Sequence, residues 1–251
     1  MQKYLEADQW KIIEQGFDPD RQCSSESIFS IGNGHMGQRA NFEEQYSGES
    51  LQGSYIGGIY YPDKTKVGWW KNGYPEYYAK VLNSVNWIGI DIEVNGTPLD
   101  LGSCEVSDFK RTFDMQKGLL QRSFVATLAS GDRVKVTACR FVSMERPEVG
   151  AIEYELEAQN FDGSITLRPY INGEVTNEDA NYDEMFWEEV DQGLFEDGGF
   201  VTSKTKKLDF HVSAGMKSDI KKNGQSLSVD GTSSCESMKV ARKYQLPVAE
   251  R

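Results

Sequence analysis

Gly32, Gly34 and Gly37 stand in G-x-G-x-x-G spacing directly after the strand-like run Ser27 to Ile31. That spacing lets a backbone approach a pyrophosphate seated on a helix N-terminus. A dinucleotide site also needs an apolar-striped helix after Gly37 and an acidic residue about 20 positions on to hold a ribose. Between Gly37 and Tyr46 only Ala40 and Phe42 are apolar, and Gly48 closes whatever helix had started. Glu49 lies near the required distance, but no later segment alternates strand and helix as a doubly wound sheet must. The run is read instead as a structural turn between early strands. In that reading Gly32, Gly34 and Gly37 serve the backbone, while Asn33 and Arg39 make local hydrogen bonds rather than hold a phosphate.

Carboxylates offer a second chemistry. Glu153, Glu155 and Glu157 alternate along one strand, which puts neighbours about 6.6 Å apart by strand rise. An inverting glycosidase separates its acid and base by about 6.5–9.5 Å, but any acidic strand face facing water has the same spacing. Glu184, Glu188, Glu189 and Asp191 surround Phe186 and Trp187, the acid-plus-aromatic composition of a sugar site. A surface loop with one buried Trp produces the same string.

The aromatic run Tyr55, Tyr60, Tyr61, Trp69, Trp70, Tyr74, Tyr77 and Tyr78 lies among glycines and prolines. A loop so composed covers the core, packs on another domain or touches a ligand. Trp69, Trp70, Tyr74, Tyr77 and Tyr78 are accordingly the candidates for a domain interface or substrate entrance. A serine nucleophile would need His35 or His211, the only imidazoles. Ser27 and Ser30 near His35 lack the G-x-S-x-G elbow. With so few histidines and no C-x-x-C pair, no metal site is expected, and the four cysteines are expected as free thiols.

Whatever these groups do, strands must position them, because the dominant period is two. Ile88, Ile90, Ile92 and Val94 alternate with polar residues and run into Asn95-Gly96, the signature of a type I′ hairpin turn. Leu119 to Leu128 and Arg133 to Ser143 flank the turn Ala129 to Asp132, with Val134, Val136 and Ala138 on one face. Ile152 to Ala158 alternates with the glutamates, and Asn160 to Gly163 turns into Ile165 and Leu167. Many short strands at regular spacing predict a single all-β domain over residues 1–251, a large two-sheet antiparallel β-sandwich with few short helices. Short helical turns are expected near residues 3–14 or 178–190.

A net charge of −12 over 251 residues disfavours nucleic-acid and anionic membrane partners. No apolar run approaches a membrane span or a signal peptide, so a cytoplasmic location is expected. The final residues, Ala241 to Arg251, read as a cut near a domain boundary.

Several of these stretches, taken in order, resemble glycoside hydrolase family 65, which includes the maltose, trehalose and kojibiose phosphorylases. The matching residues are Trp10 to Phe17, Glu26 to Glu44, Asn86 to Ile90, Gly118 to Phe124, Arg140 to Ser143, Asn160 to Gly163 and Ile171 to Asn177. His35 and Ala40 depart from the family's usual Tyr and Gly. The resemblance implies the family's N-terminal domain, a galactose mutarotase-like super-sandwich without catalytic residues. It further implies a longer enzyme whose (α/α)6 barrel follows on the same polypeptide, a homodimer, and inverting phosphorolysis of an α-glucoside. Inorganic phosphate would be the co-substrate, with no cofactor. The chain alone is then expected to be inactive, packing on the barrel, supporting dimerisation and shaping the substrate entrance. A stand-alone carbohydrate-binding module or lectin-like domain is the alternative, and linkage specificity is left open among maltose, trehalose, kojibiose and nigerose.

Overall fold

The computed structural model describes residues 4–65, 73–177, 184–227 and 231–249. Two antiparallel sheets form the sandwich. The larger orders its strands Leu5–Ala7, Lys11–Gln15, Glu105–Asp114, Leu119–Thr127, Arg133–Val142 and Gly150–Ala158. The second runs Thr232–Glu236, Lys239–Val248, Gly163–Asn172, Ile90–Val94 and Thr97–Pro98. Phe124, Ala126, Val134 and Val136 from the first meet Ile92, Val94 and Ile165 from the second in one dry core. These are the alternate positions of period-two strands, so burial follows the pleat.

The turns follow residue chemistry as well. Asn95 and Gly96 take φ of 49° and 80° and close the hairpin from Ile90–Val94 to Thr97–Pro98. Positive φ at both central residues is the demand of a type I′ turn, and Asn-Gly meets it with least strain. A second core joins the far end of the five-stranded sheet to a three-stranded one, Trp187–Phe195, Gly198–Thr205 and His211–Lys217, through Ile171, Val201, Val240 and Trp187. The segment expected to be helical near 187–190 is therefore strand, and residues 178–183 lie outside the described residues.

The N-terminal reading needs correction in two places. Residues 5–15 form strands Leu5–Ala7 and Lys11–Gln15 rather than helical turns, because they add an edge to the six-stranded sheet. The strand-like run from Ser27 is instead the end of helix Gln22–Ile28, and only Ile31–Gly32 is extended. Asp18 starts the preceding turn by accepting from the Asp20 amide. The buried face of the helix is Gln22, Ser25 and Glu26, continued by Phe29. Helical spacing is present there, but polar residues carry it, so an apolar stripe is missing.

Candidate functional site

The glycine run forms a tight hairpin, Ile31–Gly32 against Met36–Gln38, so a strand and not a helix follows it. Gly34 sits at φ 86°. Asn33 Oδ1 accepts from the amides of His35 and Met36 at 3.0 and 2.9 Å, while its Nδ2 donates to the carbonyls of Ser143 and Pro147 at 2.6 and 2.9 Å. Gly37 opposes Gly32 across the ladder. Arg39 donates to the carbonyls of Leu51 and Cys23 at 2.7 and 3.1 Å.

Beyond this hairpin, Arg39 to Glu44 crosses the inner face of the six-stranded sheet, and there the sandwich interior is charged. Arg122 Nη2 donates to Glu43 Oε2 and Glu44 Oε2, each at 2.6 Å, and its Nη1 donates to Glu44 Oε1. Arg140 Nη1 donates to Glu43 Oε1 at 2.9 Å and reaches the Asn41 carbonyl at 3.3 Å, while Nη2 donates to the Arg39 carbonyl at 3.2 Å. Arg111 donates to Gln22 at 2.8 Å and lies 3.5 Å from Glu14. Its guanidinium sits over the rings of Phe29, Phe42 and Phe109 at 5.2–5.6 Å. Tyr154 closes the group by donating to Glu44 at 2.9 Å. All of these residues but Tyr154 and Arg39 are buried.

Electrostatics fix the protonation states. Burial pushes the Glu43 carboxyl up, but Arg140 and Arg122 outweigh it and hold it below the usual glutamate value. Burial brings Arg111 down to about 10, still cationic at neutral pH. Burial, reinforced by Glu44, raises the Tyr154 phenol well above its ordinary value. The Glu43 carboxylate is thus an acceptor locked onto guanidinium groups, with no role as a proton donor, and the arrangement clamps a loop to a sheet. Arg111, Arg122 and Arg140 escape the sequence reading, although a signal was there: each falls in phase with buried apolar positions on its strand.

The candidate acids do not converge. Glu153 and Glu155 are exposed and Glu157 half-buried, opposite Cys139, Thr137 and Lys135 on the next strand. Glu188 pairs with Lys204 at 3.1 Å, Glu189 accepts from the Met238 amide at 3.1 Å, and Glu184 and Asp191 are exposed. Trp187 is buried and donates its indole N–H to the Asn83 carbonyl at 2.8 Å. Ser27 and Ser30 donate to the carbonyls of Cys23 and Glu26 and not to an imidazole. Among the described residues no cluster of three His, Cys, Asp or Glu could hold a metal, none of the four cysteines is in a disulfide, and no helix is long and apolar enough to cross a membrane.

Within the aromatic run, Tyr60–Lys64 pairs antiparallel with Tyr77–Val81. Tyr74, Tyr77 and Tyr78 are 59, 50 and 41% exposed, whereas Tyr61 is buried against Phe186. Trp69 and Trp70 lie outside the described residues. Side chains tie the two strands together. Lys80 and Asp63 form a buried ion pair at 2.8 Å, which Tyr78 joins through its hydroxyl at 3.3 Å. Burial opposes both charges, yet the pair keeps Asp63 below and Lys80 above their ordinary values. Just past it, the Asn83 amide donates to Asn177 Oδ1, and Asn177 Nδ2 donates back to the Val81 carbonyl. The arrangement suits presenting aromatic surface on a fixed support.

The sequence model of the glycosyl hydrolase family 65 N-terminal domain matches residues 12–251. This chain belongs to that family. Within it, the domain is 45% identical over 209 residues to the maltose phosphorylase of Bacillus subtilis (strain 168), covering 83% of this chain and 28% of that relative. It is 30% identical over 212 residues to the alpha,alpha-trehalose phosphorylase of Thermoanaerobacter brockii, covering 80% of this chain and 27% of the relative. Among solved structures, a putative kojibiose phosphorylase from human microbiome superposes with a TM-score of 0.84 at 28% identity, covering 98% of this chain and 31% of that one. The family 65 domain thus spans under a third of the length of these relatives.

Proposed function

We propose that the chain is a single non-catalytic domain of an inverting disaccharide phosphorylase, or related glycoside hydrolase, acting on α-glucosides in the cytoplasm. The observation that carries this reading is the 45% identity to a maltose phosphorylase that extends far beyond the aligned region. The site geometry supports a non-catalytic role, because its best-assembled carboxylates, Glu43 and Glu44, are consumed by Arg122 and Arg140. In this reading the domain packs against an (α/α)6 barrel of the same polypeptide, helps form a homodimer and shapes the substrate entrance through Tyr74, Tyr77 and Tyr78. The reaction transfers a glucosyl group to inorganic phosphate and uses neither metal nor organic cofactor.

The test assays glucose 1-phosphate release from maltose, trehalose, kojibiose and nigerose in phosphate buffer. The 251-residue chain is expected to release none, and the full-length polypeptide to act on at least one. Release by the chain alone, or neither glucose 1-phosphate nor free glucose from these disaccharides by the full-length protein, overturns the proposal.

A further inference from the structure

Inside the charged half of the sandwich lies a small void of about 10 Å³, lined by Asn41, Glu43, Arg111, Arg122, Ala138 and Arg140 among others. Its origin is a break in a row. Glu14, Arg111, Arg122, Ala138 and Tyr154 are successive cross-strand partners over five strands of the sheet. Four of them carry long side chains, whereas Ala138 offers a single methyl group between Arg122 and Tyr154. Arg140, two residues further along the same strand, shares the face of Ala138.

The polar groups around the void are not all satisfied. Arg111 Nη1 and Arg140 Nε are buried without a hydrogen-bond acceptor, while Arg111 Nε has only Glu14 Oε2, 3.5 Å away in an ion pair without hydrogen-bond geometry. Both arginines are 1% exposed. Donors this deeply buried are nearly always paired, with protein or with ordered water.

We propose that the void is a specific site for one water molecule, which accepts from Arg111 and Arg140 and donates to the Glu43 carboxylate. Size and charge select the guest. A void of about 10–15 Å³ is the minimum for a water, and a halide ion is larger. Glu14, Glu26, Glu43 and Glu44 already balance Arg39, Arg111, Arg122 and Arg140, so an anion would enter as uncompensated buried charge. An apolar guest would leave the arginine N–H groups bare. The water makes up the acceptor that Arg111 Nη1 and Arg140 Nε lack, and it joins the loop residue Glu43 to Arg111, with which Glu43 shares no hydrogen bond or ion pair.

The test pairs crystallography with oxygen-17 relaxation dispersion, which counts long-lived internal waters, on the wild-type chain and Ala138→Ser. In the wild type, a density peak is expected within hydrogen-bond distance of both Arg111 and Arg140. In Ala138→Ser the new hydroxyl takes that place, and the internal-water count falls by about one. An unchanged count in a folded Ala138→Ser protein overturns the proposal. So does an anomalous peak at this position after a bromide soak, or a wild-type crystal in which both arginines have turned onto protein acceptors. Those wild-type outcomes decide the matter even if the serine variant does not fold.

Discussion

On the inner face of the six-stranded sheet, the paired strands Leu119–Thr127 and Arg133–Val142 carry Phe124, Ala126, Val134 and Val136 toward one end. They carry Leu120, Arg122, Ala138 and Arg140 toward the other. All are buried, so burial does not explain the change from hydrocarbon to guanidinium. What differs is the cover. The apolar end faces a second sheet, whose backbone groups are already paired in their own ladder. The charged end faces the loop Arg39 to Glu44, where the Glu43 carbonyl accepts from the Ile90 amide but those of Arg39 and Asn41 take side-chain donors. Arg140 supplies donors to the carbonyls of Arg39 and Asn41, and Glu43 and Glu44 travel with the loop to neutralise the arginines. Where a loop instead of a strand roofs a sheet, its backbone must be satisfied by side chains, and arginine has the most donors to give.

The largest effect should come from breaking the charged end at one point. Arg122→Met leaves Glu43 and Glu44 buried with too few partners and is expected to cost about 4 kcal/mol in urea unfolding. Adding Glu43→Gln and Glu44→Gln to that variant should recover a substantial part of the loss; no recovery would mean that the arginine acts through packing alone. At the apolar end, Phe124→Ala should cost about 3 kcal/mol through cavity formation, with the same cost at every pH at which the protein folds.

Acid should separate the two ends further. Because the folded Glu43 carboxyl is held below its ordinary value, its contribution is fully present above the unfolded pKa of about 4.3. It is lost as pH falls through the folded value. Asp63 and Asp100 are lowered as well, so unfolding midpoints should be nearly flat from neutrality to about pH 5 and fall below about pH 4. A midpoint that rises on acidification would contradict the charge assignments. Smaller still, Asp91→Asn removes the exposed partner of Arg168 and should change stability by less than about 1 kcal/mol. Least of all, Tyr77→Ser should leave stability within about 0.5 kcal/mol while, under the function proposed above, raising KM for the disaccharide in the full-length polypeptide. A large loss of stability would recast that strand pair as part of the core.

The dry half of the sandwich was readable from residue order because its rule is local. Period-two alternation at Val134 to Ala138 and the Asn95-Gly96 turn each declare themselves within a few positions. The charged half was not, for two reasons. Arg122 and Arg140 break the apolar pattern at positions whose partners lie 78–101 residues away. Helix Gln22–Ile28, for its part, turns Gln22, Ser25 and Glu26 inward, so no apolar stripe marks it. The resemblance to family 65 located the domain without identifying these side chains, since it rests on short motifs and not on what each residue touches.

The distance in sequence between Glu43 and Arg140 also governs how the protein must fold. Hairpins such as Leu119–Thr127 with Arg133–Val142 close across a handful of residues and are inexpensive in chain entropy. The loop carrying Glu43 and Glu44 can dock only after the sheet has placed Arg122 and Arg140 on one face, and contacts of such long range slow folding. Until then those arginines stand hydrated on a half-covered surface. Docking of that loop then expels all but the proposed water from an ionic seam, and its rate should report on the charges rather than on the apolar core.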